Sequence, residues 1–515
     1  MRRLSTLLLV LLTTLGMVAA PAAAEPDGTL TLARDTVPAG EPITVAYSTP
    51  RPHQKNWLGL YTEPGNGPVD QTYVGPSLRW VYISGAEGTA TLPTEGLEPG
   101  EYIVYGLARD GYRWLAEPVR LRLSGTGPAH FVTGEFDLRN AQAKAPYQAS
   151  VRGLVRGNTE GLRFRKLSGP GWVTVAADGT VSGTPHPAYS AKTTTLRIEA
   201  RNEHGERDTA TARIEVRPPG ARLVPELKVL SWNLWHGGSQ VNGAREKQLR
   251  FLLESDVDVV GMQETSSTAG RALAEALGWD YYQAGYDMAV ISRYPIVGRS
   301  EPPAESGLAG MSARIRIDER RREDVVLWNV HLGYTPYGPY DACFGGMTER
   351  ELLARERQSG RTGQITDVLA AMRPELAESG DTPVLLVGDF NAPSHLDWTP
   401  RTERCGGSAV DWPTSVLPER AGLRDSFRTA NPDPVADPGT TWSPIFHTFE
   451  GGYGYDEHRG EPEPQDRIDF VHFAGELEVT GSRAVVAGDP KPAPEHEDNE
   501  WTSDHAAVLT TFRVG

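Results

Sequence analysis

A carboxylate and an amide two residues apart follow a strongly apolar run in the last third of the chain. The run covers residues 384–387, and Gly388 then lets the backbone turn before Asp389 and Asn391. Such a run indicates a buried strand, and polar groups at the carboxyl end of a strand face the edge where open α/β sheets hold ligands. Asp389 could accept a proton there while Asn391 orients a water or a phosphoryl oxygen. On these residues alone, an Asx turn that closes a strand is the simpler interpretation.

Five more polar clusters end apolar or β-branched runs in the same way. They are Lys228-Val-Leu-Ser-Trp-Asn233, Val259-Val-Gly-Met-Gln-Glu264, Val330-His331, Arg467-Ile-Asp469 and Ser503-Asp504-His505. In this order the clusters resemble the endonuclease/exonuclease/phosphatase superfamily, which includes pancreatic deoxyribonuclease, exonuclease III, sphingomyelinases and inositol-polyphosphate phosphatases. The resemblance runs from about Pro225 to the C-terminus, and the ordered set is specific although no single member is.

Glu264 is the predicted metal ligand. It ends an apolar strand, where a carboxylate suits a hard divalent ion that prefers oxygen. We assign it as the principal ligand of Mg²⁺ or Mn²⁺; the alternative is a salt-bridged glutamate at a strand end. The resemblance places Asn233 and Asp504 beside it as further ligands, with Gln263 as a lesser neighbour.

Asp469 and His505 are expected to act as a pair. A carboxylate that accepts from one ring nitrogen fixes the tautomer and raises the basicity of the other nitrogen. Family members use this pair beside the scissile phosphate, either to activate water or to stabilise the transition state, and both roles stay open. The resemblance also makes His331 a phosphate contact, with a purely structural histidine as the alternative.

Together these residues describe hydrolysis of a phosphoester by in-line attack of water, with the metal neutralising charge on the phosphoryl oxygens and the leaving group. Either Asp389 or the Asp469–His505 pair would take the proton. Asn391 and His331 would hold the phosphate.

Strands and helices must alternate to position these groups. Strands are predicted at residues 228–232, 257–262, 288–292, 312–317, 325–330, 384–387, 470–473 and 507–512. Helices are predicted at residues 245–253, 269–277 and 348–372, the last with a break at Ser359-Gly360. Periodicity supports only an α/β or α+β class. The resemblance implies a four-layer α/β sandwich over residues 221–515, in which two packed mixed sheets are flanked by helices.

The chain before this region is rich in short strands. Runs at residues 30–33, 43–47, 57–61, 80–83, 102–107 and 119–123, separated by turn signals, predict an antiparallel β-sandwich over residues 25–126. That segment resembles an immunoglobulin-like module. Residues 127–220 resemble the cadherin-like and putative immunoglobulin modules of bacterial surface proteins. The predicted protein is therefore multidomain: two N-terminal all-β sandwiches precede the α/β sandwich, and they serve as spacers or bind cell-surface or extracellular material.

Residues 1–24 read as a signal peptide. They combine Arg2 and Arg3, an apolar stretch and a small-residue end at Ala22-Ala-Ala24. A membrane anchor is the alternative, but the stretch is short for a spanning helix. We therefore expect a secreted protein with no transmembrane segment.

Charge is concentrated in the catalytic region. Residues 226–515 hold 27 Lys and Arg against 46 Asp and Glu, a net charge of −19, while residues 1–225 hold 24 against 21, a net charge of +3. Such a region attracts metal ions and repels a polyanion, which disfavours tight binding of duplex DNA.

The two cysteines of the chain, Cys343 and Cys405, both lie in loops of the catalytic region. An even count in an exported chain predicts a disulfide. Two unrelated free thiols are the alternative.

Substrate identity stays open at this stage. A small-molecule or lipid phosphoester, whether a monoester or a diester, is favoured slightly over the alternative of an extracellular DNase-type endonuclease. An alternative of another class is a surface adhesion protein with an inactive hydrolase domain, which would show gaps in the motif set. The loops at residues 333–340 and 440–446, rich in Tyr, Trp and Pro, would select the substrate unless they only pack on themselves.

Overall fold

The computed structural model describes residues 27–63, 65–300, 309–406 and 409–515. The predicted signal peptide, residues 1–24, therefore lies outside the described residues. Across the described ranges, no helix is both long enough and apolar enough to cross a lipid bilayer.

The first described region is built from two sheets that share one hydrophobic core. Its strands are β1 (Thr29–Leu32), β2 (Thr36–Pro38), β3 (Ile43–Ser48), β4 (Asn56–Thr62), β5 (Arg79–Ile83), β6 (Glu87–Leu92), β7 (Gly100–Leu107) and β8 (Val119–Ser124). The sheet orders are β1-β3-β6 and β2-β8-β7-β4-β5. Ile43, Leu58 and Val104 belong to the common core, because alternate residues of each strand point inward.

The second region is also all β, and its core continues into the catalytic region. Its strands are β9 (His130–Phe131), β10 (Glu135–Asp137), β11 (Ala141–Gln142), β12 (Tyr147–Ser150), β13 (Val155–Arg156), β14 (Arg163–Ser168), β15 (Val173–Val175), β16 (Thr180–Gly183), β17 (Lys192–Arg201) and β18 (Arg207–Arg217). The largest sheet has the order β10-β18-β17-β14. Leu154 and Ile198 of this region share one cluster with Trp232 and Leu273 of the next. The second region thus packs directly on the catalytic region.

Two six-stranded mixed sheets form the centre of the catalytic region. Its strands are β19 (Glu226–Asn233), β20 (Val259–Gln263), β21 (Asp280–Ala284), β22 (Met288–Ser292), β23 (Ile296–Ser300), β24 (Gly310–Asp318), β25 (Glu323–His331), β26 (Val384–Asp389), β27 (Arg424–Asp425), β28 (Asp469–Ala474), β29 (Leu477–Val485) and β30 (Ala507–Val514). The orders are β21-β22-β20-β19-β30-β29 and β23-β24-β25-β26-β28-β27. The sheets face each other across a core that includes Val229, Leu327 and Phe512.

Helices cover the outer faces of both sheets. They are α1 (Ala244–Glu254), α2 (Ala269–Leu277), α3 (Gly338–Cys343), α4 (Glu349–Gln358), α5 (Arg361–Ala377), α6 (Pro413–Arg420) and α7 (Ser426–Ala430). Leu249 of α1 and Leu273 of α2 pack on the first sheet, and Val368 of α5 packs on the second. The layers are therefore helices, sheet, sheet and helices, and the predicted α/β sandwich is confirmed.

The predicted elements of the catalytic region are present. The break predicted at Ser359-Gly360 is present too, because residues 348–372 form two helices, α4 and α5, and the chain turns between them at Gly360, whose φ of 85° suits glycine. Four strands were not predicted, namely β21, β23, β27 and β29. Each of the four is an outer strand of its sheet.

Candidate active site

Strand direction brings the predicted residues of the first sheet to one edge. β19 and β20 run parallel, so Asn233 and Glu264 emerge at the same end. β30 runs antiparallel to β19, so the residues that precede it, Asp504 and His505, lie at that end as well. Three segments far apart in the chain thus meet.

The second sheet contributes from the facing edge. β25 and β26 run parallel in a register that sets His331 opposite Asp389. β28 runs antiparallel to β26, and its first residue, Asp469, pairs with Asp389. All eight predicted site residues therefore lie along one edge of the sandwich.

Asp389 is the centre of the arrangement. Its Oδ2 lies 3.1 Å from Asn233 Nδ2, 3.6 Å from His331 Nε2 and 3.7 Å from His505 Nε2. Its Oδ1 accepts a hydrogen bond of 2.8 Å from the backbone N–H of Asn391. The side chain is buried, so both imidazoles face one carboxylate that solvent barely reaches.

Each imidazole is held by a second carboxylate. His505 Nδ1 lies 2.9 Å from Asp469 Oδ2, and both side chains are buried. His331 Nδ1 lies 2.8 Å from Asp287 Oδ2, but the Asp287 side chain is 41% exposed. Because a carboxylate only accepts, each ring carries its proton on Nδ1 in the neutral form and turns Nε2 toward Asp389.

The surrounding charges favour protonated imidazoles. Burial by itself lowers the pKa of His331, but the hydrogen bond with Asp287 and the charge of Asp389 outweigh it and raise the pKa to about 9. Burial likewise lowers the pKa of His505, but the charges of Asp469 and Asp389 raise it well above its ordinary value. The site is thus a compact cluster of carboxylates interleaved with two imidazoles.

Asn233 links the two sheets through its amide. Its Oδ1 accepts a 2.9 Å hydrogen bond from the backbone N–H of Trp235, so the NH₂ group is turned to the carboxylates. It donates to Glu264 Oε1 at 3.2 Å and to Asp389 Oδ2 at 3.1 Å. Glu264 Oε2 accepts from the backbone N–H of His236 at 2.9 Å. In this arrangement Asn233 acts as a donor, and its assignment as a metal ligand stays a prediction.

One oxygen of the buried Asp504 carboxylate, Oδ1, has no hydrogen-bond partner among the described residues. Burial raises the pKa of Asp504 to about 7, and the charge of Glu264 adds to the effect while His505 opposes it. Ligand atoms of Asp389, Asp469 and His505 also lie within 4.8 Å of one another. Asp469 Oδ1 is likewise buried without a partner in the described ranges. Crowded carboxylate oxygens with unsatisfied members fit a hard divalent cation.

Two predicted neighbours turn away from this centre. Asn391 donates from Nδ2 to the backbone carbonyl of Leu332 at 3.0 Å, and Gln263 donates to Asn329 Oδ1 at 2.6 Å between the sheets. The phosphate-holding role of Asn391 therefore stays a prediction. Glu264 and Asn391 both have left-handed backbones, with φ of 54° and 49°. Such strain concentrates at functional sites.

Sequence reasoning missed Asp287, the partner of His331. It lies in the turn that joins β21 to β22, with no apolar run before it. A signal existed nevertheless. β22 runs antiparallel to β20, so a carboxylate just before β22 reaches the edge at which Glu264 follows β20. His236, whose Nδ1 lies 3.1 Å from Glu264 Oε2, was missed as well.

An aromatic wall extends from the imidazole of His505 toward solvent. It consists of Trp442, Phe446 and Trp235, all half-buried. The Trp442 ring centroid lies 5.0 Å from that of His505 and 5.6 Å from that of Phe446, which lies 5.9 Å from Trp235. The ring of His496 continues the wall at 5.0 Å from Trp235. The loop at residues 440–446 therefore faces the site, as a loop that selects substrate should.

The other predicted loop, residues 333–340, packs largely on the protein. Tyr337 and Tyr340 are buried, whereas Tyr334 is 61% exposed. Tyr340 Oη donates to Glu463 at 2.6 Å, and the same carboxylate oxygen accepts from Trp442 Nε1 at 2.8 Å. Tyr340 thus supports the aromatic wall from behind.

The predicted disulfide is present between Cys343 and Cys405. Cys343 is the last residue of α3, which also carries Tyr340. The bridge therefore joins the loop after β25 to the loop after β26, close to the support of the aromatic wall.

Comparison of sequences identifies relatives of the catalytic region. Residues 230–505 match the sequence model of the Endonuclease/Exonuclease/phosphatase family. An uncharacterized protein of Caenorhabditis elegans is 31% identical over 296 residues, which cover 56% of this chain and 91% of the relative.

Similar solved structures cover the same share of the chain. D. rerio TDP2 complexed with single strand DNA product is 16% identical, with a TM-score of 0.36, and the match covers 56% of this chain and 98% of that one. Truncated Caenorhabditis elegans TDP2 is 17% identical, with a TM-score of 0.36 and the same coverage. AP endonuclease LMAP from Leishmania major is 14% identical, with a TM-score of 0.32 and coverage of 56% and 89%.

Proposed function

The chain belongs to the endonuclease/exonuclease/phosphatase family and is a hydrolase of phosphoric ester bonds, and we propose that it is a secreted enzyme that prefers a small or lipid-borne phosphoester to duplex DNA. The observation that carries the preference is the aromatic wall beside His505. Trp442 and Phe446 are half-buried rings that can cover an apolar or cationic group of a substrate whose phosphate lies at Asp389.

The acidic surface next to the wall supports the same preference. His496, whose ring touches Trp235, belongs to the turn Glu495–Asp498, in which Glu495, Glu497 and Asp498 are exposed. A duplex laid along the wall would bring many phosphates past these carboxylates, in a region of net charge −19. A single phosphate in the site escapes most of that repulsion.

The donor set suits Mg²⁺ or Mn²⁺. Glu264 and Asp504 would hold the ion, with Asn233 beside them. The ion, when bound, neutralises charge on the phosphoryl oxygens and on the leaving group.

The protein's own groups account for positioning and proton transfer. Asp389 lies between two imidazole Nε2 atoms, so it is placed to orient the attacking water and take its proton. His331 and His505 then present Nε2 to the phosphoryl oxygens, each fixed by the carboxylate on Nδ1. In the alternative, the Asp469–His505 pair takes the proton.

Turnover of purified protein on four substrates tests this proposal. Plasmid DNA, bis-nitrophenyl phosphate, a choline phospholipid and inositol phosphates are compared at matched Mg²⁺ and low salt, with Glu264→Gln as the inactive control. Trp442→Ala should raise KM for the phospholipid and leave KM for inositol phosphates nearly unchanged. Cleavage of DNA orders of magnitude faster than every small substrate would instead establish the nuclease alternative.

We assign the two N-terminal regions as immunoglobulin-like and cadherin-like modules that hold the enzyme at cell-surface or extracellular material. The shared core of the β1–β8 sheets and the export signal expected at residues 1–24 support this assignment. N-terminal sequencing of protein from the culture medium should find Glu25 as the first residue. Retention of full-length protein inside the cells would contradict export.

A further inference from the structure

A large cavity lies away from the catalytic edge. It has a volume of about 960 Å³ and opens between the first β region, the second β region and helices α1 and α2. Cavities of roughly 300–1,000 Å³ are typical of sites for metabolite-sized ligands. None of the eight predicted site residues lines it.

Two half-buried arginines from different regions face this cavity. Arg156 ends β13, and its Nη1 donates to the backbone carbonyls of Gly153 and Val155 at 2.8 and 3.0 Å. Arg245 lies in the first turn of α1, and its Nη1 donates to the carbonyl of Ala269 at 2.8 Å. These bonds fix each guanidinium by one nitrogen only. Five donors are available on a guanidinium, so most of each fork stays open to the cavity.

Neither arginine forms an ion pair with any carboxylate that the structure describes. Glu246, the acid next to Arg245 in α1, is taken by Arg250 at 2.9 Å and by His130 at 3.2 Å. Glu98 also lines the cavity, and its charge acts on both arginines without an ion pair to either.

Two other arginines of the same cavity are paired. Arg122 lies 4.0 Å from Glu101, and Arg271 lies 4.0 Å from Glu275. Arg152 and Arg163 also line the cavity without an ion pair in the described ranges, but both are exposed, so Arg156 and Arg245 are its two unpaired arginines that are half-buried.

Two adjacent cations without counterions are costly when partly removed from water. Burial lowers the pKa of both Arg156 and Arg245, and the charge of Arg156 lowers that of Arg245 further. Charges that are taken out of water in folded proteins are usually paired, because an unpaired one is unfavourable. The chain carries a net charge of −16, yet no acidic residue in the described ranges forms an ion pair with either arginine.

We propose that the cavity binds a small anionic metabolite through a phosphate or similar oxyanion held between Arg156 and Arg245. Guanidinium forks match phosphate oxygens in bidentate hydrogen bonds, and charge-assisted bonds of this kind are strong. The volume leaves room for a body beyond the oxyanion. Because the two arginines belong to different regions, the ligand joins the second β region to the catalytic region.

Calorimetric titration of the full chain with inorganic pyrophosphate tests the site. The experiment is run in excess chelator at constant ionic strength, so that metal-dependent binding at the catalytic edge is suppressed. Wild type should show saturable binding, which Arg156→Gln and Arg245→Gln each weaken at least tenfold. Arg120→Gln is the matched control, because Arg120 is exposed and paired with Glu63 at 3.2 Å, and its binding should equal that of wild type.

Removal of the opposing charge gives a test in the other direction. Glu98→Gln should tighten pyrophosphate binding, since Glu98 is the acid that acts on both arginines. Long-chain polyphosphate is titrated in parallel to distinguish a small ligand from a polymer. Pyrophosphate should bind the site more tightly than polyphosphate does.

Several outcomes would overturn the proposal. The absence of saturable pyrophosphate binding to wild type does so whether or not the variants fold. Equal affinity in Arg156→Gln and Arg120→Gln does so as well, provided that their thermal midpoints agree. If the glutamine variants unfold, Arg156→Lys and Arg245→Lys replace them, and unchanged affinity in both would refute the bidentate site. Phosphoesterase activity is not measured, so these results leave the proposed catalytic function untouched.

Discussion

Asp469→Asn is expected to slow phosphoester hydrolysis far more than the same substitution at Asp287. Both carboxylates hold an imidazole Nδ1, at 2.9 and 2.8 Å, and both rings face Asp389. The two pairs differ in burial. The Asp469 side chain is fully buried, whereas that of Asp287 is 41% exposed.

Burial determines the expected magnitudes. A hydrogen bond between buried charged groups is worth about 1.5–3 kcal/mol, and at about 1.4 kcal/mol per factor of ten this is a loss of roughly 10- to 150-fold in kcat for Asp469→Asn. An exposed pair is screened by water and worth about 0.2–1 kcal/mol, so Asp287→Asn should cost no more than about fivefold. Asparagine can still accept from Nδ1, so the comparison isolates the loss of charge.

The assay is initial-rate hydrolysis of bis-nitrophenyl phosphate at saturating Mg²⁺. Both variants are checked for an unchanged thermal midpoint, since a drop would mix folding with catalysis. Equal losses at the two positions, or near-normal turnover of Asp469→Asn, would refute the argument that the buried pair supports the chemistry.

Three further predictions concern the metal, pH and the disulfide. Chelation should abolish hydrolysis by the wild-type enzyme, and added Mg²⁺ or Mn²⁺ should restore it. Glu264→Ala should stay inactive after the metal is added, with its thermal midpoint little changed. Hydrolysis that persists in excess chelator would contradict a role for the metal. Burial lowers the pKa of His472 from 6.5 to about 4. Its contribution to stability is therefore complete above pH 6.5 and is lost as the pH falls toward 4, by about 3 kcal/mol at about 1.4 kcal/mol per pKa unit. The free energy of unfolding in denaturant should depend less steeply on pH for His472→Gln than for wild type, and an identical dependence would contradict this. The Cys343–Cys405 disulfide closes a loop with a sequence separation of 62. In the chain-entropy model this closure stabilises the folded protein by roughly 4 kcal/mol. Reduction should therefore lower the thermal midpoint of wild type but not that of a double Cys→Ser variant.

Prediction from sequence succeeded in the interior of the sheets and failed at their borders. Interior strands such as β20 and β26 are covered on both faces, so their sequences are continuous apolar runs. The four missed strands, β21, β23, β27 and β29, are the outer strands of the two sheets. β29 alternates buried and exposed residues and contains a register irregularity between Val479 and Gly481, which interrupts its pattern.

The candidate site divides in a similar way. Asp389, Glu264 and His331 could be predicted from the sequence, because each ends or follows an apolar run. Asp287 has no such signal, since it occupies a turn and becomes relevant only when β22 lies antiparallel to β20. The orientation of the Asn233 amide was also beyond sequence reasoning, because it depends on the backbone N–H of Trp235.

By itself, the sequence determined which residue types could do the chemistry and which segments are buried, because the period of apolar residues and the polar ends of strands are local properties. The tertiary structure decided what those residues do to one another. Asp389 lies between two imidazoles, and Trp442 continues the site outward, because strand direction and sheet packing bring together residues that are 58 to 116 positions apart in the chain. The cavity of Arg156 and Arg245 likewise exists only where separate regions meet. Distances of a few ångströms between remote segments are products of packing, and no local pattern encodes them.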